Sequence, residues 1–506
     1  MPDYSYPGVY VEELSTGPRP IEGVSTSTAG FVGETERGPT LTRLVTSWTE
    51  FDRWFGGFLD LPTLTRDNRF LPYAVRGFFE NGGQRLFVAP VIGQTASVAS
   101  LELQGARGPT TVVATSAGAW GNNVWVQVKQ ASTALLADPA SGEAQWFRLQ
   151  LFYYRDGVPG VPDAVEDFDD LSPVPTDANF APSVINGVSS LIAITDCQGT
   201  PDLVGPPGVQ LSGGTYVPAA REDFIAGLDG LGTIREISLV SIPDEVVIPE
   251  LADDLVSHCE TLRDRFAVLA ERTDGEDLSQ IQQPRDSSYA AIYYPRLRVP
   301  APHLRDGSVL VPPQGHVAGI YARVDRNSGV HVAPANQVVE GLSASDPSTG
   351  LEPLSHLLGK VEQEVLAPRR INVLRDFRSN GRGIRVWGAR TMSADPEWKY
   401  VPVRRLFIFL EQSIGQGLQW VVFEPNTEQT WLRVRGSITN FLRTVWRNGA
   451  LMGDRDDEAY FVRCDRTTMT QDDIDNGRLI CLIGVAPVKP AEFVIFRIRQ
   501  KTLLGP

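Results

Sequence analysis

Histidine and cysteine are the first residues to consider for chemistry, because they supply most general bases, thiolate nucleophiles and soft metal ligands. The chain has five histidines and four cysteines. They are His258, His303, His316, His331 and His356, and Cys197, Cys259, Cys464 and Cys481. The histidines are scattered, although His316 and His331 share one strand-rich stretch, and no cysteine pair has the spacing of a zinc site. Cys464 and Cys481 are expected on neighbouring strands, where free buried thiols are the simplest interpretation.

No sequence motif for phosphate binding or catalysis is complete. Gly359-Lys360 is followed by Val361 instead of Ser or Thr, so the P-loop pattern fails. Gly381–Gly383 and Gly415–Gly417 both lack the third glycine of a dinucleotide loop, and H-E-x-x-H and G-x-S-x-G do not occur. The calcium-loop pattern fails at Asp472–Gly477. We therefore predict no catalytic residue, no metal site and no cofactor, and the chain is not expected to be an enzyme.

The composition excludes several further classes of protein. The chain has 506 residues, 46 Lys and Arg against 61 Asp and Glu, and a formal net charge of −15. A general nucleic-acid binder needs a basic face, so nucleic acid is not an expected partner. No apolar run approaches the roughly 18 residues of a membrane helix, and the N-terminus has no secretory signal pattern. The small number of cysteines fits assembly in a reducing cytoplasm. Without an apolar run of sufficient length, direct membrane insertion is not expected.

Helix and strand signals alternate along the first part of the chain. Residues 30–33 and 85–92 are candidate buried strands, and residues 48–58 and 72–81 between them have helical apolar spacing. Similar units recur at 223–270, where two predicted helices each lead to an apolar strand. This repetition predicts a layered, mixed α/β fold.

Two regions depart from this alternation. Residues 96–220 have short alternating strands separated by Gly and Pro turns and are strongly acidic, and this pattern predicts a β-rich insertion. Residues 285–350 are interpreted as a Pro- and Gly-rich connection. The predicted organisation has five parts. They are a strand arm at 1–20, an α/β core at 21–95 and 221–350, the β-rich insertion at 96–220, a C-terminal α/β domain at 355–486, and a second strand arm at 487–506.

The C-terminal domain has sharper signals. Val403, Leu406, Leu410 and Ile414 fall on one helix face, and the spacing recurs at 438–446. Each terminus carries a strand without a local hairpin partner, so each must pair at a distance or with another chain. The residues of these strands are Val9, Tyr10, Val11, Glu12 and Glu13, and Phe493, Val494, Ile495, Phe496, Arg497 and Ile498.

Several segments, taken in order, resemble the contractile tail sheath protein family of phage tails, R-type bacteriocins and extracellular contractile injection systems. The similarity covers most of the chain, is dense from about 285 to 502 and is weak between 100 and 220. The segments are Tyr6–Glu13, Gly30–Gly33 with Gly38-Pro39, Phe79–Gly83, Gly118–Asn123, Val317–Arg323 with Ala333–Asn336, Arg382–Thr391, Thr468–Gly477 and Phe493–Ile498. As a single chain it departs from type VI secretion sheaths, which are split over two proteins.

The resemblance implies a structural subunit that exchanges its terminal arms with neighbours. Such subunits build a helical sheath of stacked hexameric rings around an inner tube, with baseplate and terminal cap proteins as further partners. Contraction of the sheath drives the tube through a target envelope without nucleotide hydrolysis. The particle assembles in the cytoplasm and can be released; which of the three kinds of particle it is stays open.

In the family, the C-terminal domain lies next to the tube and inserted domains face outwards, which implies that the insertion at 96–220 is an outer domain. Residues 366–506 contain 22 Lys and Arg against 15 Asp and Glu, whereas the rest of the chain contains 24 against 46. A basic inner layer suggests a screened, reversible contact with an acidic tube surface. The candidate tube-facing residues are Arg433, Arg435, Arg443 and Arg447, for each of which a merely solvated helix face is the alternative.

Two other functional classes were weighed against the sheath subunit. An enzyme built on the α/β core would need a pocket with perturbed titratable groups. A nucleic-acid binder would use the basic C-terminal block, but that block lacks interleaved aromatic and basic residues, since Phe407, Phe409 and Trp446 stand at apolar positions.

Overall fold

A computed structural model gives the fold and describes residues 19–58, 69–133, 146–272, 277–304, 306–345 and 350–492. The chain divides into two compact units. The larger unit is Ser25–Arg405, and the smaller combines Met1–Val24 with Leu406–Pro506. The arm residues Val9–Glu13 and Phe493–Ile498 lie outside the described residues.

The described elements alternate between helices and strands. The strands are β1 (Thr28–Glu34), β2 (Arg43–Val45), β3 (Arg85–Val91), β4 (Ser100–Leu103), β5 (Thr110–Ala114), β6 (Val124–Gln130), β7 (Phe147–Tyr153), β8 (Ala164–Leu171), β9 (Ile192–Cys197), β10 (Val204–Gln210), β11 (Leu239–Ser241), β12 (Phe266–Ala270), β13 (Ala290–Tyr294), β14 (Leu297–Pro300), β15 (Ser308–Val311), β16 (Ile371–Asp376), β17 (Ile384–Trp387), β18 (Tyr460–Arg463) and β19 (Leu482–Val485). The helices are α1 (Trp48–Phe55), α2 (Leu71–Glu80), α3 (Ala181–Ile185), α4 (Arg221–Gly232), α5 (Glu250–Leu262), α6 (Gln314–Ser328), α7 (Lys360–Leu366), α8 (Val401–Gly417), α9 (Glu428–Arg447), α10 (Asp456–Ala459) and α11 (Gln471–Asp475). None of the helices among the described residues combines the length and apolar character that crossing a membrane requires.

An eight-stranded sheet is the framework of the larger unit. Its order is β17-β16-β13-β12-β11-β1-β3-β2, with parallel pairing throughout the middle and an antiparallel strand at each edge. Strands β12 and β13 are buried along their whole length, as expected for parallel strands covered on both faces. The mixed α/β fold class predicted from the sequence is therefore confirmed.

Helices cover both faces of this sheet. Val32 and Leu269 belong to the core formed with α4 and α5. The alternate residue Phe31 meets the Phe78 ring of α2 at 5.6 Å, and Phe266 meets Tyr321 of α6 at 6.3 Å. Because successive side chains of a strand point to opposite faces, α2 with α6 and α4 with α5 form the two outer layers.

Part of the connection predicted at 285–350 is regular structure instead. Strands β13, β14 and β15 and helix α6 all lie there, and His316 is in the helix. The glycines of this segment were interpreted as loop residues. In the structure, Gly315 and Gly319 lie in α6 and allow it to pack closely against α2. A β-carbon at Gly315 would lie 2.2 Å from the Ala74 carbonyl oxygen, and one at Gly319 would lie 2.4 Å from that of Phe78. Glycine here lets α6 touch the backbone of α2.

Strands β16 and β17, assigned from the sequence to a C-terminal domain starting at 355, extend the large sheet because β16 pairs with β13. The compact units divide between Arg405 and Leu406, inside α8. The predicted domain boundaries themselves stay predictions.

The segment between β3 and α4 has a core of its own. A four-stranded sheet, β10-β6-β7-β8, and a three-stranded sheet, β4-β5-β9, enclose apolar residues such as Val126, Leu149 and Ile192. The two ends of the segment meet at its base. The Gly93 N–H donates to the Val217 carbonyl at 3.0 Å, and a bridge joins Ser97 to Thr215. The segment therefore enters and leaves through one narrow neck.

A buried carboxyl group gives the larger unit a testable pH dependence. Glu245 accepts hydrogen bonds from the Ala270 N–H at 2.8 Å and the Gln314 side chain at 3.0 Å. Burial raises its pKa to about 8, because charging the group without water is costly. Folded protein therefore holds this proton over a pH range in which unfolded protein has lost it.

We expect the free energy of unfolding to fall as pH rises from about 4.5 to 8, with a slope from this group of up to about 1.4 kcal/mol per pH unit. Glu245→Gln should flatten that slope, since it cannot ionise. Urea unfolding at several pH values measures the effect. The exposed Glu222→Gln is the control, and an unchanged slope in Glu245→Gln contradicts the assignment.

Candidate functional site

The smaller unit holds the roots of both predicted arms. On the N-terminal side, residues 19–24 lie against α8 and the turn that follows it. The Val24 N–H donates to the Ser413 hydroxyl at 3.1 Å, and a β-carbon at Gly417 would lie 2.8 Å from Ile21. The Arg19 guanidinium lies 5.0 Å from the centre of the Trp420 ring, a cation–π contact. The chain leading to the first arm is thus fixed to this unit.

A two-stranded antiparallel ribbon is the main sheet structure of the smaller unit. Strands β18 and β19 pair with the register Phe461 to Gly484 and Arg463 to Leu482. Among the described residues, neither outer edge of these strands pairs with another named strand. Phe461 and Leu482 remain 45 % and 52 % exposed. Exposed apolar side chains beside unpaired backbone groups are typical of a sheet edge that accepts another strand.

Glycine at position 484 makes room for an aromatic ring on the ribbon. A β-carbon there would lie 2.2 Å from the Phe461 ring. The ring therefore covers its directly opposite partner, and it presents an apolar surface on the ribbon.

The chain continues from the ribbon towards the second arm. The Val488 N–H donates to the Ala450 carbonyl at 3.2 Å, and the Met452 N–H donates to the Ala486 carbonyl at 2.8 Å. These backbone hydrogen bonds hold Ala486 and Val488, the first part of the linker that leads to the second arm.

Helix α9 carries all four predicted tube-facing residues. Its buried face includes Trp431, Ile438 and Phe441, and the Phe441 ring meets Phe409 of α8 at 5.9 Å. At 3.6 residues per turn, Arg443 and Arg447 lie close together on the opposite face. This arrangement explains the apolar spacing predicted at 438–446.

The four arginines differ in their contacts. Arg433 forms an ion pair with Glu424 at 2.9 Å and lies 5.1 Å from the Trp420 ring centre, so it also supports the N-terminal root. Arg443 forms a partly exposed ion pair with Asp456 at 3.4 Å. Arg435 and Arg447 are exposed, and no ion pair holds either of them within the described residues. The structure thus brings Arg443 and Arg447 onto the side of α9 opposite its buried face, whereas the exposed Arg435 lies on the flank near Cys464 and Arg433 is held by its neighbours.

The distribution of charge differs from the interpretation of a uniformly basic C-terminal block. Residues 406–506 contain twelve basic and twelve acidic residues, so the positive excess falls on residues 366–405. Several of those arginines make internal contacts. Arg369 donates to three backbone carbonyls at 2.8, 2.8 and 3.1 Å, and the buried Arg405 pairs with Asp325 at 2.6 Å. Within the described residues of the smaller unit, the outward side of α9 keeps an exposed positive charge.

A cleft in the larger unit bears on the alternative of an enzyme. It encloses about 370 Å³ where β1 and β3 end and α4 begins. Of its carboxylates, Glu36 accepts hydrogen bonds from Tyr153 at 2.6 Å and Arg155 at 3.0 Å, and Asp223 accepts one from the Ala220 N–H at 2.8 Å. Both lining carboxylates therefore serve the local structure.

Buried groups with strongly raised pKa values do not line this cleft. Burial raises the pKa of Asp244 to about 7 and that of Glu245 to about 8, and neither residue borders the cavity. Within the described ranges, no group of three or more His, Cys, Asp or Glu side chains is arranged to hold a metal ion.

Comparison with known proteins gives a consistent result. The model of the phage tail sheath protein central domain matches residues 218–392, and that of the phage tail sheath C-terminal domain matches residues 393–501. The tail sheath protein of Vibrio phage KVP40 is 24 % identical over 285 residues, which are 54 % of this chain and 40 % of that protein. The tail sheath protein of Burkholderia phage BcepMu is 28 % identical over 172 residues, 31 % of this chain and 34 % of that protein. The alignments span less than half the length of these curated relatives.

Solved structures are similar over nearly the whole chain. The helical sheath of the anti-feeding prophage in its contracted state has a TM-score of 0.61 and 25 % identity, covering 99 % of this chain and 100 % of that one. The sheath complex of an extracellular contractile injection system, PVC, in its contracted state has a TM-score of 0.59 and 23 % identity, with 99 % of each chain covered. Because the sequence identity to the PVC sheath is low, the similarity to that structure supports the fold alone.

The hydroxyl of Ser413 should control how firmly residues 19–24 are held. Ser413→Ala removes the acceptor for the Val24 N–H, so we expect faster hydrogen exchange at Val24 and a loss of about 1 kcal/mol in unfolding free energy. Mass spectrometry of peptides from this segment measures the exchange. Ser413→Thr keeps the hydroxyl and should retain the protection; equal exchange in all three proteins contradicts the anchor.

Proposed function

This chain belongs to the family of phage tail sheath proteins, and we propose that it is the repeating subunit of a contractile sheath that surrounds an inner tube. The two matching domain models span residues 218–501, which is more than half of the chain. Relatives in this family include a helical sheath solved in its contracted state. The proposal concerns how this particular chain assembles and moves.

The observation that carries the proposal is the β18–β19 ribbon, which has open edges within the described residues and lies in the same compact unit as the roots of both arms. Residues Val9–Glu13 and Phe493–Ile498 have the β-type composition of donated strands. The ribbon offers unpaired backbone groups and the exposed apolar residues Phe461 and Leu482. We propose that arms from neighbouring subunits extend this ribbon into a mixed sheet, with backbone hydrogen bonds supplying the affinity.

Such an exchange determines the kind of assembly. The donated arms and the accepting ribbon are different surfaces, so each contact is heterologous. Heterologous contacts build either closed rings or open helices. In the proposed sheath, subunits form hexameric rings, and arms that join successive rings stack them into a helix. The subunits thus form a homo-oligomer. We further propose that this oligomer contacts an inner tube, baseplate proteins and a terminal cap, and that nucleic acid, direct membrane insertion and a cofactor have no part in it.

Contraction in this scheme is a rearrangement of subunits that stay connected. Strand pairing holds neighbours together while the chain pivots near residues 15–20 and after Val488. The assembled lattice stores its free energy as a kinetically trapped state and releases it without nucleotide hydrolysis. We propose assembly in the cytoplasm and a structural, non-catalytic role, which is supported by the local engagement of the carboxylates in the cleft.

The outward side of α9 is the proposed contact with the tube. Arg443 and Arg447 give it a positive charge, which Arg435 on the flank of the helix extends, and an acidic tube surface would complement it. Exposed charge contacts are weak and screened by salt, which suits a tube that must slide after firing.

Deletion of residues 1–14 should leave folded subunits that do not polymerise, because the deletion removes one donated strand. Negative-stain electron microscopy measures the number and length of sheaths, and circular dichroism checks the fold. A subtler variant, Val9→Pro with Val11→Pro, keeps the arm but removes two N–H donors. Val9→Thr with Val11→Thr preserves strand propensity and should still assemble. Intact sheaths from the deletion would refute arm exchange.

Reversal of charge on α9 should weaken attachment to the tube. For Arg443→Glu with Arg447→Glu we expect roughly tenfold weaker binding at low salt and a smaller difference at high salt. Co-sedimentation of sheath with purified tube measures the effect. Arg466→Glu changes another exposed arginine of the same unit and serves as the control. Unchanged attachment in the double variant would exclude this face as the tube contact.

A further inference from the structure

Two cysteines stand opposite each other at one end of the ribbon. The last paired residues of β18 and β19 are Arg463 and Leu482. One step further along each antiparallel strand are Cys464 and Cys481, which are therefore the next cross-strand pair. Directly opposed residues have Cα atoms about 4.5–5.5 Å apart, within the range that a disulfide spans.

The two sulfur atoms interact with each other. A hydrogen bond from Cys481 lowers the pKa of Cys464, the nearby Arg435 guanidinium lowers it as well, and burial opposes the shift. The same hydrogen bond, together with burial, raises the pKa of Cys481. Both thiols are free in this structure; Cys464 is buried and Cys481 is half-buried.

We propose that Cys464 and Cys481 form a reversible disulfide when the protein meets an oxidised low-molecular-weight disulfide such as oxidised glutathione. Cys481, the more exposed sulfur, transfers its proton to the Cys464 thiolate as it attacks one sulfur of the small disulfide, and the first glutathione thiolate leaves and takes up a proton from water. Cys464 then loses its proton, attacks the Cys481 sulfur and releases the second. Two protein thiols and one small disulfide thus give one protein disulfide and two small thiols, so atoms and electrons balance.

The bond would act on the surface that accepts neighbouring strands. It closes the loop from residue 465 to 480, which contains α11, and fixes the register of β18 against β19 at that end. A reducing cytoplasm keeps the pair as thiols, and oxidising surroundings convert it. The effect of the disulfide on strand exchange between subunits rests on the proposed function, whereas the thiol chemistry does not.

The other cysteines provide internal comparisons. Cys197 is on β9 of the insertion, where the Thr110 hydroxyl donates to its sulfur at 3.7 Å. Cys259 is buried on α5, and burial raises its pKa above that of an ordinary thiol. Cys197 stands opposite Thr110 in its strand pair, and Cys259 lies in a helix, so neither has a cross-strand cysteine partner.

The test uses the reduced full-length chain, oxidised glutathione and a final block with N-ethylmaleimide. Cleavage after Arg463, Arg466 and Arg478 places Cys464 and Cys481 on separate peptides. We expect mass spectrometry to show these peptides joined, with the loss of two hydrogen atoms, and to find most copies oxidised. Cys464→Ser should trap glutathione on Cys481, because no second thiol resolves the adduct; Cys197→Ser should behave as wild type.

Three results would overturn the proposal. They are retention of both thiols in the wild type, a glutathione adduct that persists on wild-type Cys481, and a preferred disulfide involving Cys197 or Cys259. Thermal unfolding provides a second measurement, since oxidation should raise the midpoint temperature in the wild type and not in Cys481→Ser. Isolated subunits suffice for both experiments, so failure here is distinguishable from failure to form sheaths in the microscope.

Discussion

Backbone N–H and C=O groups that are removed from water must be hydrogen-bonded within the protein, and this constraint organises the sheets of the chain. The central strands of the larger unit meet it internally. Strand β1 is buried from end to end and lies between β11 and β3, which pair with its two edges. In the smaller unit, the described part of the chain leaves the outer edges of the β18–β19 ribbon without a neighbouring strand. The difference separates a self-contained scaffold from a surface suited to association.

The arginines of the two units also differ in their contacts. Arginines just before residue 406 satisfy buried or partly buried oxygen atoms. Arg405 contacts both oxygens of Asp325 and the Thr26 carbonyl, and Arg390 donates to the Ala367 carbonyl. Removing one partner of such a buried pair costs about 3–5 kcal/mol because the other charge is left unpaired. By contrast, an ion pair between exposed side chains, such as that of Arg443 with Asp456 on α9, contributes only about 0–1 kcal/mol.

Local patterns in the sequence were sufficient for much of the fold. The apolar spacing around Ile438 predicted a helix that the structure contains as α9. The start of α11 has an equally local cause, since the Thr470 side chain accepts a hydrogen bond from the Asp473 N–H. Helix α6 was missed because Gly315 and Gly319 resemble breakers when their packing partners are unknown. The count of charged residues did not locate the exposed positive charge, because a count cannot distinguish an arginine that binds backbone carbonyls from one that faces water. The opposition of Cys464 and Cys481 depended on strand register, which the sequence left open. The predicted arm strands lie outside the described residues and stay predictions.

The narrow neck of the segment between β3 and α4 has a consequence for how such chains diversify. Gly93 and Val217 are hydrogen-bonded neighbours although more than a hundred residues separate them. A module whose two ends meet can grow, shrink or be replaced while the strands on either side keep their places. Natural variation and protein engineering can therefore work on this module as an exchangeable cassette, and a foreign domain with closely spaced termini is the natural graft.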